Sequence, residues 1–246
     1  MKCKNCGNQV SRNYCSQCGQ SSRISRINLP NFLEELSVSI FQINRGFFFT
    51  IKELTIRPGN TIREFLAGKR RSHIRPITFL ISLSTLYFLA GVITDQQTWL
   101  DNFLSGFLEG MAESRENFAA SSILNWFANN YAYANLLLLP IFSLASYLAF
   151  NKYQLNYLEH IVINSYLAGQ QAIIYILLVF VNILVDNELI EALTLLLSVC
   201  YTFWTYWQLF EKGSRIGNLL RTLSCYLIYL FISAGLLILL HSWDRF

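Results

Sequence analysis

The sequence predicts an all-α membrane protein: five transmembrane helices plus interfacial amphipathic helices, preceded by a small four-cysteine head. Composition is the first observation behind this reading. The 246 residues are 53% hydrophobic and 14% charged, against about 25% charged in an ordinary soluble domain. Nineteen Phe, thirteen Tyr and five Trp supply the aromatic weight of helices anchored at a lipid interface. The second observation is five apolar runs, at 76–93, 131–150, 161–185, 189–210 and 219–240. The shortest covers about 27 Å as a helix, enough for the hydrocarbon core. The third is charge. Five spans with the N-terminus inside leave seventeen Lys/Arg on the cytoplasmic side and two, Arg115 and Arg245, outside, as the positive-inside rule requires.

The head occupies residues 1–22. Cys3-x2-Cys6 and Cys15-x2-Cys18 are each followed by glycine, Gly7 and Gly19. A CxxCG turn aims two thiolates at one ion, and two such turns complete a tetrahedral site, so the head reads as a zinc ribbon. Zinc at structural sites contributes about 10–16 kcal/mol, which lets so short a segment fold without a core. Two disulfides or a redox pair are the competing readings. The first thirty residues are polar and lack an apolar h-region, so no cleavable signal is expected, and a reducing cytoplasmic compartment favours Zn2+. Four cysteines leave no open coordination position, which makes the role structural or partner-binding, with a cytoplasmic protein as the expected partner. A net charge of +4 is no nucleic-acid signal.

Residues 23–75 read as a linker followed by interfacial amphipathic and basic helices, with 20–29 a short polar connection. Asn31 and Glu34 have capping-box spacing, and Phe32, Leu33, Leu36, Ile40 and Ile43 repeat at helical intervals up to Gly46 as a stop. Residues 47–56 form a second short apolar helix. Both suit either helices in the headgroup plane or a pair packed under the bundle. Arg57–Pro76 then holds six of the nineteen basic residues and one acid, Glu64. Pro58-Gly59 predicts a turn, Thr61 and Glu64 a second capping box, and Gly68 a helix stop. Juxtamembrane cations gain about 1 kcal/mol each near anionic lipid, so Arg57, Arg63, Arg70, Arg71 and Arg75 are candidate contacts to the cytoplasmic leaflet. The same charge also serves as an orientation signal.

Residues 76–246 form the five-helix membrane domain. Loop 94–130 is long, and Trp99, Phe103, Phe107, Leu108 and Met111 predict an interfacial helix within it. Inside the third span, His160, Asn164, Gln171, Tyr175 and Asn182 share one helical face. An amide in lipid is costly, so this face meets protein or water, as helix–helix glue or as a cavity lining. Glu159 and His160 fall at the cytoplasmic start of that span, level with the basic stretch and with Arg215 and Arg221. Their convergence would make an anionic-headgroup or phosphate-ester site.

Several stretches together resemble a known family. Tyr14-Cys15-x2-Cys18-Gly19-Gln20, Arg57-Pro58-Gly59, Gly68-Lys69-Arg70 before Pro76, and Asn156-x2-Glu159-His160 are similar to a bacterial membrane family catalogued as domain of unknown function 3667. The resemblance covers nearly the whole chain. It implies a polytopic inner-membrane protein with an N-terminal ribbon, and it implies no activity. Ile161-Val162-Ile163-Asn164 stands where a more aromatic, histidine-bearing run is expected, which argues against a metal or redox role for the third span. The reading that follows is a non-catalytic scaffold, regulator or assembly protein, cytoplasmic at its N-terminus and external at its C-terminus. A transporter using the polar face of the third span and a lipid-modifying enzyme using Glu159 and His160 are the alternatives. No repeat or broken-helix pair supports transport, and no nucleophile motif or open metal site supports catalysis.

Overall fold

The computed structural model describes residues 1–11, 13–30, 45–96, 130–185, 187, 189–211 and 213–243. The expected capping box at Asn31 and Glu34, and the expected helix in loop 94–130, lie outside these residues. Seven α-helices follow one another among the described residues: α1 (Arg45–Ile56), α2 (Pro58–Leu66), α3 (Pro76–Thr94), α4 (Tyr131–Ala149), α5 (Tyr157–Val185), α6 (Leu189–Leu209) and α7 (Arg215–Trp243). A 3-10 turn, Asn151–Tyr153, joins α4 to α5. The ribbon contributes only two isolated β-bridges, Lys2 with Gln9 and Tyr14 with Ser21.

Each of the five apolar runs is a helix. Three of them, Pro76–Thr94, Tyr157–Val185 and Arg215–Leu236, are long and apolar enough to cross a membrane. Helix α4 has 19 residues, as many as α3, and is apolar over Tyr133–Ala149. In α6 the apolar character is diluted by Thr194, Ser198, Thr202, Thr205 and Gln208, which follow from its packing on neighbours rather than lipid. The exposed residues fit a lipid-facing surface. Leu177, Phe180 and Leu184 project from the second half of α5, and Leu220, Leu223, Leu227 and Phe231 from α7.

Helix α5 is the hub, packed most extensively on α3 and also on α4 and α6. Gly169 makes the closest approach possible, because a Cβ there would stand 2.5 Å from Cδ1 of Phe79. Phe79, Leu83, Ile163, Tyr166 and Tyr206 form the centre of the core. Helices α1 and α2 are not a loose surface layer. Phe47, Leu54, Ile62 and Phe65 are buried in that same core, and α2 packs on α6 while α1 meets α5. Of the two helices expected between residues 31 and 56, the first lies outside the described residues, and the second, now α1, packs against the bundle.

The Arg57-Pro58-Gly59 junction explains why. Pro58 opens α2 at a position where its missing N–H has no intrahelical partner to lose. Gly59 lies against the end of α6, where any Cβ would overlap the backbone of Thr205 and Leu209, and its N–H donates to Oε1 of Gln208 at 3.2 Å. Two details correct the sequence expectation. Pro58-Gly59 starts the helix rather than forming a separate turn, and Thr61 with Glu64 is no capping box. Thr61 Oγ1 instead donates to the Glu53 carbonyl at 3.2 Å, because Thr61 falls one turn inside α2 and faces α1. Gly46, expected as a helix stop, sits in the first turn of α1, while Gly68 with φ of +114° follows α2 as expected.

Candidate metal centre and its dock

The two CxxCG segments fold alike. In each, the glycine N–H donates back to the first cysteine carbonyl, Gly7 to Cys3 and Gly19 to Cys15, both at 2.9 Å. Both glycines adopt left-handed φ, +78° and +72°, which a side chain would strain. The turns bring the sulfurs of Cys3, Cys6, Cys15 and Cys18 within 4.8 Å of one another. Cys3 and Cys18 are 3.6 Å apart, and Cys6 and Cys15 are 3.5 Å apart. Metal–sulfur bonds of about 2.3 Å in a tetrahedron put sulfurs about 3.8 Å apart, so the four residues fit one ion. All four are free thiols. Backbone N–H groups of Cys18 and Gln17 hold the Cys15 thiol down at about 6. The N–H of Asn8 favours the thiolate of Cys6, yet desolvation and its sulfur neighbours push that thiol up to about 12. Four sulfurs this close cannot all ionise without a shared cation, and a divalent ion supplies one.

The ribbon is docked, not tethered. The side-chain carbonyl of the buried Gln20 accepts from the backbone N–H of Arg70 at 3.1 Å and of Arg71 at 3.2 Å. Arg71 Nε donates to the carbonyl of Cys18, itself a sulfur ligand candidate, at 3.2 Å. Arg70 Nη2 reaches the Ser25 carbonyl at 3.2 Å, and Lys4 Nζ the Ile24 carbonyl at 3.2 Å. Arg70 and Arg71, expected at the lipid surface, therefore hold the second knuckle and the chain that leaves it. Charge density alone cannot separate a headgroup phosphate from a backbone carbonyl.

Residues 24–28 continue the dock, where sequence suggested a simple connection. Ile27 is buried in the main core, and its carbonyl accepts from Asn156 Nδ2 at 3.0 Å. Arg26 donates from Nε to Glu159 Oε1 at 2.8 Å and from Nη2 to Oε2 at 2.7 Å. Its Nη2 also reaches the Gln154 carbonyl at 2.7 Å. Glu159 and Asn156 cap α5 reciprocally: Asn156 N–H donates to Glu159 Oε2, and Glu159 N–H to Asn156 Oδ1, each at 2.8 Å. This is the capping-box arrangement, and it gives Asn156-x2-Glu159 a structural meaning.

The other expected anion contacts each have a separate partner. Arg57 bridges Glu53, at 2.7 Å from its Nε, and Glu64, at 3.1 Å from Nη1. Burial alone would raise the Glu64 carboxyl, but Lys69 and Arg57 bring it below the ordinary value. Arg63 pairs with Glu211 at 2.5 Å and with Asn60 at 2.7 Å, and the Arg63 guanidinium lowers the Glu211 carboxyl. Arg75 is the N-cap residue of α3. Arg215 lies over the Trp207 ring at 5.5 Å, and Arg221 over Tyr153 at 5.9 Å. Glu159 takes Arg26, which sequence reasoning missed, in place of these.

His160 points into the bundle, fully buried, with Nδ1 2.9 Å from Ser146 Oγ. Asn164 Nδ2 donates to Ser146 Oγ at 2.9 Å and to Ser143 Oγ at 3.2 Å, and Tyr206 Oη donates to Asn164 Oδ1 at 2.7 Å. Further along, Gln171 Nε2 donates to the Ser198 carbonyl at 3.0 Å and to Thr202 Oγ1 at 3.1 Å. Tyr175 packs its ring on Tyr87 at 5.3 Å, and Asn182 Oδ1 accepts from Asn187 N–H at 3.3 Å in the turn to α6. The stripe joins α5 to α4, α3 and α6.

Fold and site together define a helical protein of membrane type, with helices able to cross a bilayer and a four-cysteine head, able to hold a metal ion, docked on the segment that follows α2. The family described as protein of unknown function (DUF3667) matches residues 44–88, a stretch that runs from α1 through the Arg57-Pro58-Gly59 junction and the ribbon's dock into α3. No curated protein and no solved structure matches the chain.

Proposed function

We propose that this chain is a non-catalytic polytopic membrane protein, a scaffold, regulator or assembly factor of the bacterial inner membrane. In this reading Zn2+ folds the ribbon, and the bundle holds it at the cytoplasmic face. Zinc suits the site because four thiolates at tetrahedral spacing are its preferred closed set. Five spans with the N-terminus inside follow from the excess of Lys/Arg on that side. Helix α6 runs back along α5, with Asn182 beside Asn187 and Gln171 against Ser198 and Thr202, so a crossing by one implies a return by the other. The first knuckle is the surface offered to a cytoplasmic protein: Cys6 is exposed, and nothing lies within 4 Å of a Cβ placed on Gly7.

The observation that carries this reading is the occupation of the α5 polar face by interhelical hydrogen bonds. A transport path needs those amides open to water. Substituting Gln171→Cys, with Cys200 and Cys225 replaced by Ser, tests this with a charged, membrane-impermeant thiol reagent added from each side of the membrane. A scaffold predicts no labelling of position 171 from either side. Rapid labelling would favour transport and overturn the reading.

A further inference from the structure

Helix α1 crosses the bundle at a nearly constant depth. Its first turn meets α3, where the rings of Phe47 and Phe79 are 5.9 Å apart. Its last turn meets α5 and α6: Gln170 Nε2 donates to Thr55 Oγ1 at 2.8 Å, and Tyr201 Oη donates to the Leu54 carbonyl at 3.0 Å. Phe79 lies 15 residues before the end of α3 at Thr94, and Gln170 lies 15 before the end of α5 at Val185, each about 22 Å at the helical rise. Tyr201 lies 12 residues after the start of α6 at Leu189, about 18 Å. The hydrocarbon core is about 30 Å thick, so spans whose far ends mark one edge of it leave α1 about 8–12 Å inside the other edge. We propose, resting on the reading of α3, α5 and α6 as spans, that α1 is an in-plane membrane helix whose outward face meets the acyl chains of the cytoplasmic leaflet.

That face has the chemistry for this depth. Phe48, 70% exposed, and Ile56, 58% exposed, share it with the exposed Phe49, Lys52 and Thr55, the spacing of one helical stripe. Thr55 returns its hydroxyl to the Ile51 carbonyl at 2.8 Å. A lysine on such a stripe carries its ammonium out to the headgroups on its own apolar stem. Phe47, Thr50 and Leu54, on the opposite face, are buried, so α1 separates protein from lipid as an interfacial helix does. The exposed surface of the spans reaches this helix. Trp204, 41% exposed, lies at the same level on α6, with its ring 6.1 Å from that of Tyr201, the residue bonded to Leu54. Exposed Leu193, Leu196 and Leu197 continue from it toward the far end of α6. Tryptophan is the side chain favoured where such a surface leaves the hydrocarbon.

Spin labelling of the full chain in phosphatidylcholine vesicles tests the assignment. A p-acetylphenylalanine in place of Phe48, Ser72 or Leu177, coupled to a hydroxylamine nitroxide, leaves the ribbon cysteines untouched. All three positions are exposed, Ser72 between α2 and α3 and Leu177 within α5. Collision with oxygen against collision with a water-soluble nickel chelate reads the depth. The nitroxide at 48 is expected to favour oxygen and to lie on the order of 10 Å below the phosphates. The one at 72 is expected to favour nickel, and the one at 177 oxygen. Nickel access at 48 equal to that at 72 would overturn the proposal. So would shielding of position 48 from both reagents, the signature of a second copy or another protein segment over this face. Nickel access at 177 would overturn the spanning reading itself.

Discussion

Arg26 and Glu159, 133 residues apart, meet through two parallel hydrogen bonds of 2.8 and 2.7 Å. Only one of them is in water: the Arg26 side chain is 58% exposed and that of Glu159 5%. Breaking the pair therefore leaves a buried carboxylate with only the Asn156 N–H for company. Arg26→Ala is expected to destabilise by about 1 kcal/mol, discounting a charged hydrogen bond for the exposure of its donor. Arg26→Ala and Glu159→Gln together should cost less than the sum of the two, and a double-mutant cycle on thermal unfolding checks this.

Gly59 fixes how close α2 comes to α6. Gly59→Ala must displace backbone at Thr205 and Leu209, an overpacking cost of about 1–3 kcal/mol. Gly235→Ala is the control, because nothing lies within 4 Å of a Cβ there. Melting temperatures in one detergent should fall for the first and hold or rise for the second.

The metal should hold the ribbon and its dock as one unit. One Zn2+ per chain is expected by elemental analysis. Chelation should expose all four ribbon thiols to alkylation, and Arg71→Ala should speed that exposure by freeing the Cys18 carbonyl. Metal retained with Cys15 and Cys18 both replaced by Ser would contradict the four-sulfur site.

His73 lies between Phe49, at 5.2 Å, and Phe65, at 6.0 Å, and burial lowers its pKa from the ordinary 6.5 despite the nearby Glu53 and Glu64. The folded chain thus binds this proton more weakly than the unfolded one, so stability is present above about 6.5 and declines as pH falls below it. Glu64 and Glu211, already lowered, do not titrate in this range. Thermal stability should fall between pH 7.5 and 5.5, and His73→Phe should flatten that dependence. A slope unchanged in the variant would place its origin elsewhere.

Tyr206→Phe removes the donor to Asn164 Oδ1 and leaves a buried acceptor unmet. Hydrogen bonds within helical membrane domains average about 0.6 kcal/mol and reach about 1.7, and this one should fall at the upper end because the Tyr206 and Asn164 side chains are both buried. Equilibrium unfolding in mixed micelles measures it.

What was legible in the sequence follows the range of each signal. Apolar runs and the CxxCG spacing are local, and they marked the helices and the four sulfurs. The Asn156-x2-Glu159 spacing was equally local and carries the α5 cap, although it was read only as a family likeness. Arg26, Gln20 and Ile27 gave no warning, since an arginine in a polar stretch looks the same whether solvated or pinned. The basic stretch has a further use that a charge count does not reveal: the Arg70 and Arg71 guanidiniums donate to the carbonyls of Ser25 and Cys18, 45 and 53 residues upstream. The polar face of α5 was visible, and only its neighbours show that Ser143, Ser146, Ser198, Thr202 and Tyr206 are the partners of His160 Nδ1, Asn164 and Gln171.

The segment that leaves the ribbon, residues 23–28, is clamped to the bundle through Arg26. Trypsin tests it directly, because cleavage after Arg26 requires that guanidinium in the protease pocket. Mass spectrometry of limited digests should show slow cleavage after Arg26 in the wild-type protein, relative to the exposed Arg23, and a rise of about tenfold in Glu159→Gln, equivalent to about 1.4 kcal/mol. Equal cleavage after Arg26 in the two proteins would contradict the clamp.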